Sequence, residues 1–166
     1  MISPERIINS PGFRIIGIKR SFEACRIQPQ EPWMKFMPLL KTLASGRADS
    51  YLYAVQEYQT NPDSPQYGPA TIIHFWAGIR MRNEANLLPK EVESLTVTSG
   101  SYAVFLHRGP AREFSKTMDD ILNGWLPDSG YVLEQRPHLQ VMTPEYKGPE
   151  HPDAEEEVWV PVRLNE

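Results

Sequence analysis

The sequence predicts an α+β domain built from a βαββ unit that occurs twice. Three observations carry this. Strand-like apolar segments and two segments of helical periodicity follow the order strand, helix, strand, strand, and the same order then recurs. The two runs, 13–82 and 101–164, are similar in length although they share little sequence. A half-sheet that buries one helix against one face completes itself by joining a second half-sheet edge to edge. The expected product is one curved antiparallel sheet with two helices on one face and a central cleft, residues 1–166 forming a single domain.

Taken in order, residues 1–12 read as a polar lead-in ending at Pro11-Gly12. Phe13 to Arg20 has strand composition, with Gly17 marking a bulge or a close backbone approach. Pro32 suits a first helical turn, and Trp33, Phe36, Met37, Leu40, Leu43 and Ala44 recur at helical spacing until Gly46. Pro38 removes a helical hydrogen bond, so a kink or a divided helix is expected there. Tyr51–Gln59 and Ala70–Arg82 read as strands joined by the turn-rich loop TNPDSPQYGP. Glu84–Thr98 reads as a wide connection.

The second unit opens with the strand Ser101–His107, which Gly109-Pro110 ends. Phe114, Met118, Ile121, Leu122 and Trp125 then fall on one helical stripe, with Arg112, Glu113, Lys116 and Asp119 facing away. Leu126-Pro127 stops that helix, Asp128-Ser129-Gly130 turns, and Pro137–Glu145 reads as a strand. An acidic Pro/Gly-rich loop leads to the last strand, Glu157–Leu164, where Pro161 argues for an edge or a bulge.

Composition narrows the function class. A chain of 166 residues with 40% hydrophobic and 23% charged residues buries one core and is not disordered. Its net charge of −4 argues against direct nucleic-acid binding. The nearest approach to a basic cluster, Arg6, Arg14, Lys19, Arg20 and Arg26, reads as solvated strand edges. The single cysteine, Cys25, excludes an internal disulfide and reads as an inert thiol in a reducing compartment. No apolar leader and no membrane-length apolar run is present, so the expected location is cytoplasmic.

No Gly-rich phosphate loop, nucleophile elbow or zinc-type Cys/His spacing occurs, and His74, His107, His138 and His151 sit in different elements. Neither a cofactor nor a metal is expected. The aromatic inventory stands out: Trp33, Phe36, Tyr51, Tyr53, Phe75, Trp76, Tyr102, Phe105, Trp125 and Trp159, with Met142. Most of these are core by composition, but four tryptophans in this length also offer stacking faces for a flat apolar or cationic ligand. Glu157 shares a strand face with Trp159. It either ends the solvated run Glu155-Glu156-Glu157 or lies half-buried beside the indole, where a ligand cation would offset its desolvation.

Several short motifs occur in a fixed order. Gly100, Tyr102, Ala103, Val104, Phe105, His107 and Gly109 are followed by Trp125-Leu126-Pro127, Asp128-Ser129-Gly130-Tyr131 and Pro137. Glu157-Val158-Trp159-Val160-Pro161-Val162 closes the series; Trp33, Phe36 and Ala77-Gly78-Ile79 precede it. With this order and spacing the chain resembles the GyrI-like small-molecule-binding family, found as the effector-binding domain of AraC- and MerR-type multidrug regulators. The resemblance implies a duplicated βαββ fold and a cleft, lined by aromatic and acidic residues, for bulky lipophilic and often cationic compounds.

Two family carboxylates bear on the site. One matches Glu157, with an aromatic matching Trp159. The other belongs to a Glu-any-Tyr pattern that reads Gln140 and Met142 here. An amide and a thioether thus replace a charge and a phenol, which points toward a flat, neutral aromatic ligand. Nothing resembles a helix-turn-helix. The expectation is a stand-alone binder of a bulky hydrophobic, aromatic or cationic ligand, with Trp33, Tyr53, Trp76, Phe105, Trp125, Gln140, Met142 and Trp159 as surface and Glu157 as anchor. Two alternatives stay open: a hydrolase of electrophilic cyclopropane-type compounds using Glu157, Tyr53 or Tyr102, and a protein-interaction module like the gyrase-inhibitory members.

Overall fold

A computed structural model describes residues 2–82 and 88–166. The strands are β1 (Arg6–Ser10), β2 (Phe13–Glu23), β3 (Leu52–Tyr58), β4 (Ile72–Met81), β5 (Glu93–Val97), β6 (Gly100–Arg108), β7 (Tyr131–Leu133), β8 (His138–Met142) and β9 (Glu155–Leu164). The helices are α1 (Gln30–Phe36), α2 (Leu40–Leu43) and α3 (Phe114–Asp119). Pro38 divides the first helical segment: a tight 3₁₀ turn, Met37–Leu39, separates α1 from α2. The second segment stays continuous, but α3 passes into a wider π turn over Asp120–Trp125 before a 3₁₀ turn at Leu126–Asp128.

The strands form one antiparallel sheet in the order β1-β6-β9-β8-β3-β4-β2-β5, with β7 added alongside β9. The two units, β2-α1/α2-β3-β4 and β6-α3-β8-β9, meet where β3 pairs β8. That pairing matches Leu52 to Met142, Ala54 to Gln140 and Gln56 to His138. It is symmetric about Ala54 and Gln140, so a pseudo-twofold axis passes between these two residues.

Three strands were hidden in segments read as connections. β1 lies in the polar lead-in, β5 in the described part of the Glu84–Thr98 connection, and β7 directly after the Gly130 turn; residues 83–87 of that connection lie outside the described residues. β1 and β5 are sheet edges: β1 lacks apolar alternation, and in β5 it is confined to Leu95 and Val97, too short a run to mark a strand. Pro161, where an edge or a bulge was expected, lies inside the sheet opposite Tyr102 in a regular β6–β9 register. It falls where the neighbour of β9 changes from β8, ending at Trp159, to β7, starting at Val162.

Chain connectivity forces the sheet to curl. β1 and β2, and likewise β5 and β6, lie toward opposite ends of the strand order, yet two residues join each pair. Such a link spans at most about 11 Å, so the two ends of the sheet come together. The links also touch: a Cβ on Gly12, which has φ 88°, would lie 3.0 Å from the Val97 carbonyl and 3.1 Å from the Ser99 nitrogen. Gly17 faces Gly78, and a Cβ on Gly17 would lie 2.9 Å from the Gly78 Cα, so its role is close approach.

The curl gives the sheet two unlike faces. The helix-free hollow fills itself with Ile15, Tyr53, Val55, Trp76, Val97, Tyr102, Leu139 and Val141. On the other face the helices pack as two separate clusters. Trp33, Phe36, Leu40 and Leu43 cover Ile16, Ile18, Ala54, Phe75 and Ala77. Phe114, Met118, Ile121, Leu122 and Trp125, the whole expected stripe, cover Ala103, Phe105, Val158, Val160 and Val162.

Candidate functional site

Between the two helix clusters the floor of the sheet turns polar. Register places Ala54, Gln56, Gln140 and Val158 on the helix face, because each is a direct cross-strand partner of a residue in those clusters or of one another. Glu156 precedes Val158 by two residues and shares its face. Three side chains form a chain of hydrogen bonds across the junction. Gln56 Nε2 donates to Gln140 Oε1 at 2.5 Å, and Gln140 Nε2 donates to Glu156 Oε1 at 2.5 Å.

Glu156 is 6% exposed and forms no ion pair among the described residues. Burial pushes its pKa up; the Gln140 hydrogen bond and the neighbouring His107 pull the other way. His107, opposite Glu156 across the β6–β9 pairing, is held from both ring nitrogens. Nε2 donates to the Pro110 carbonyl at 3.2 Å, and Nδ1 shares a 2.6 Å hydrogen bond with the Thr117 hydroxyl. Tyr146, packed against the first helix cluster, has its phenol pKa pushed up to about 12 by burial and then by the Glu156 charge.

His138 continues the row. It is 3% exposed, lies edge-on to Tyr58 at 4.7 Å, and neither of its ring nitrogens has a partner. Burial, and then the charge of Arg136, lower its pKa to about 3, so it is neutral at pH 7.

The residues expected to form one cleft divide between the two faces. Trp33, Phe105, Trp125, Gln140 and Met142 are on the helix side, Trp33 and Met142 in the first cluster and Phe105 and Trp125 in the second. Tyr53, Trp76, Trp159 and Tyr102 belong to the hollow on the other side. Glu157 is there too, so it and Trp159 do not face the gap between the helices. Arg6 donates to both Glu157 oxygens, at 2.9 and 3.2 Å, and the Trp159 indole N–H donates to it at 3.1 Å. The reason is the two-residue period of a strand: in Glu155-Glu156-Glu157 the middle residue points to the helices and the last points away.

The alternative catalytic set, Glu157, Tyr53 and Tyr102, is likewise on the hollow side and engaged. Tyr53 donates to Asp49 at 2.6 Å and Tyr102 to the Pro137 carbonyl at 2.8 Å. Burial raises both phenol pKa values, that of Tyr102 to about 12. Among the described residues no group of three or more His, Cys, Asp or Glu could hold a metal ion, and no helix is long and apolar enough to cross a membrane.

Sequence reading missed Gln56, His107, His138, Glu156 and Tyr146 as site residues. One signal was available: Gln56 follows Ala54 by two residues on the same strand face, a polar group at a core position.

Comparison with known proteins agrees with this architecture. The family model for the GyrI-like small molecule binding domain matches residues 4–163. The transcriptional regulator BrlR of Pseudomonas aeruginosa is 21% identical over 157 residues, which cover 95% of this chain and 54% of that protein, so the chain spans about half the length of this relative. The structure of SAV2435 bound to tetraphenylphosphonium superposes with a TM-score of 0.65 at 14% identity, covering 95% of this chain and 93% of that one. The C-terminal domain of EcmrR gives 0.66 at 10% identity, covering 99% and 100%. The two structural matches show the fold. The chain belongs to the GyrI-like small-molecule-binding domain family.

Proposed function

We propose that the groove between the α1/α2 and α3 clusters holds a bulky hydrophobic, aromatic molecule whose cationic or hydrogen-bond-donating group meets Glu156. One observation carries this: a buried carboxylate, bonded to a glutamine and engaged in no ion pair among the described residues, set between two apolar walls. A buried charge costs several kcal/mol unless it is paired. A lipophilic cation or donor seated there offsets that cost, and the half-buried Trp33 and Trp125 supply apolar contact.

Gln140 modulates the preference. It already donates one hydrogen bond to Glu156, so the carboxylate is less demanding of a full positive charge than two adjacent carboxylates would be. Neutral flat aromatics with one donor therefore compete with cations. The tetraphenylphosphonium complex of SAV2435, a protein of the same fold, makes that cation a suitable first probe. Action in the cytoplasm, as a free-standing binder or through a protein partner, belongs to the same reading.

Titration with tetraphenylphosphonium and ethidium, followed by tryptophan fluorescence, tests the proposal. Quenching that weakens about tenfold in Glu156→Gln and persists in Glu157→Gln is expected. Unaltered binding in Glu156→Gln, or loss only in Glu157→Gln, would move the site to the hollow.

A further inference from the structure

A second site lies at the end of the sheet where its two edges meet. Gly12, Phe13, Arg14, Ala48, Arg80, Met81 and Arg82 enclose a depression of about 440 Å³, within the size range of small-molecule sites. In a chain of net charge −4, three arginines line this one hollow, and Arg47 stands behind it. Backbone pairing fixes that arrangement: Arg47 bridges to Met81, and the Ala48 N–H donates to the Arg80 carbonyl at 2.9 Å.

Arg47, Arg80 and Arg82 meet neutral groups among the described residues. Arg80 stacks on the Phe13 ring at 4.6 Å and reaches the Tyr53 phenol. Arg82 Nη2 donates to the Arg47 carbonyl at 3.1 Å, and Arg14 Nε donates to the Ser94 hydroxyl at 2.7 Å. Arg47 Nη2 donates to the Tyr51 carbonyl at 2.9 Å, while its buried Nε has no partner. The carboxylate nearest in sequence to Arg47, Asp49, accepts from Tyr53 Oη and the Tyr51 N–H. Elsewhere Arg6, Arg20 and Arg136 sit against glutamates at 2.9 to 3.1 Å, whereas Arg47, Arg80 and Arg82 have no such ion pair among the described residues.

The guanidinium groups of Arg47, Arg80 and Arg82, held by neutral acceptors, keep donors in reserve and repel one another, and a multivalent oxyanion relieves both. We infer that this depression binds a small multivalent anion bearing phosphate or carboxylate groups, at a site separate from the helix groove. Arg80 and Arg82 present the donors. Arg80 is oriented by Phe13 and Tyr53, and Arg82 by the Arg47 carbonyl.

The test titrates inorganic pyrophosphate and citrate by calorimetry at low ionic strength, the two arms telling phosphate from carboxylate chemistry. Saturable binding of one or both is expected, weakening with added salt and falling roughly tenfold in Arg82→Gln and in Arg80→Gln. Arg82 is exposed, so its variant reads binding apart from folding. Glu156→Gln is expected to leave anion affinity unchanged, and this keeps the result independent of the helix groove. No saturable binding of either anion, or equal affinity in wild type and Arg82→Gln, would overturn the inference.

Discussion

The two βαββ units share one backbone plan and use it differently. Ala54 of β3 and Gln140 of β8 face each other across the pseudo-twofold axis. Ala77 of β4 pairs with the first and Val158 of β9 with the second. Stepping two residues along the same face makes Phe75 the counterpart of Glu156, and Arg20 that of His107. The first unit therefore places alanine, a buried phenylalanine and Arg20, ion-paired to Glu31 of α1, where the second places an amide, a carboxylate and a fixed imidazole. Duplication permits this division: one half keeps a mainly apolar floor, with Gln56 its polar member, while the other carries most of the polar groups, which weaken packing and suit the proposed ligand contact.

The sharpest break of the comparison is at the apolar half. Phe75 is 2% exposed, and Phe75→Ala is expected to lose about 3–5 kcal/mol in urea unfolding. At its counterpart, Glu156→Leu should cost far less or raise stability, because it removes a buried charge. Comparable losses at both positions would show that Glu156 is structural.

The second test is acid stability. His138 has its pKa lowered to about 3 from an ordinary value of 6.5. Between those pH values the unfolded chain binds a proton that the folded chain refuses, so stability falls as pH drops through that window, by roughly 5 kcal/mol in full. Glu156, with its pKa raised, acts in the opposite sense, losing stability as pH rises through its folded pKa. His138→Phe should therefore flatten the acid limb, measured by denaturant unfolding at pH 7, 5 and 4; an unchanged limb would refute the role given to His138.

Gln140→Glu sharpens the contrast in selectivity. A second carboxylate beside Glu156 should shift preference toward tetraphenylphosphonium over a neutral aromatic of similar size several-fold, at a cost in stability near 1–2 kcal/mol. Competition binding reads it. The smallest effect belongs to the hollow side: Arg6→Ala removes an exposed ion pair, with an expected change below about 1 kcal/mol and no change in dye affinity.

Much of the fold was legible because apolar periodicity reports burial directly. Both helical stripes, the break at Pro38 and the six principal strands follow from spacing and proline chemistry. The edge strands β1 and β5 were not legible: β1 has no alternating pattern, and that of β5 is only two apolar residues long, Leu95 and Val97. Of the residues read as candidates, Trp33, Phe105, Trp125, Gln140 and Met142 lie on the helix side, whereas Glu157 faces the hollow and its neighbour Glu156 faces the helices. A run of three glutamates cannot announce which of them faces inward.

From the sequence alone came the duplicated βαββ plan, the family resemblance and the residue types available for binding, because these depend on local periodicity and motif order. Which face each residue occupies was decided only by tertiary structure. Strand side chains alternate with period two, so the inter-strand register sends Glu156 to the helices and Glu157 to Arg6. The meeting of the sheet's ends, which gathers Arg14, Arg80 and Arg82 around one depression, is likewise a property of strand order rather than of any local segment.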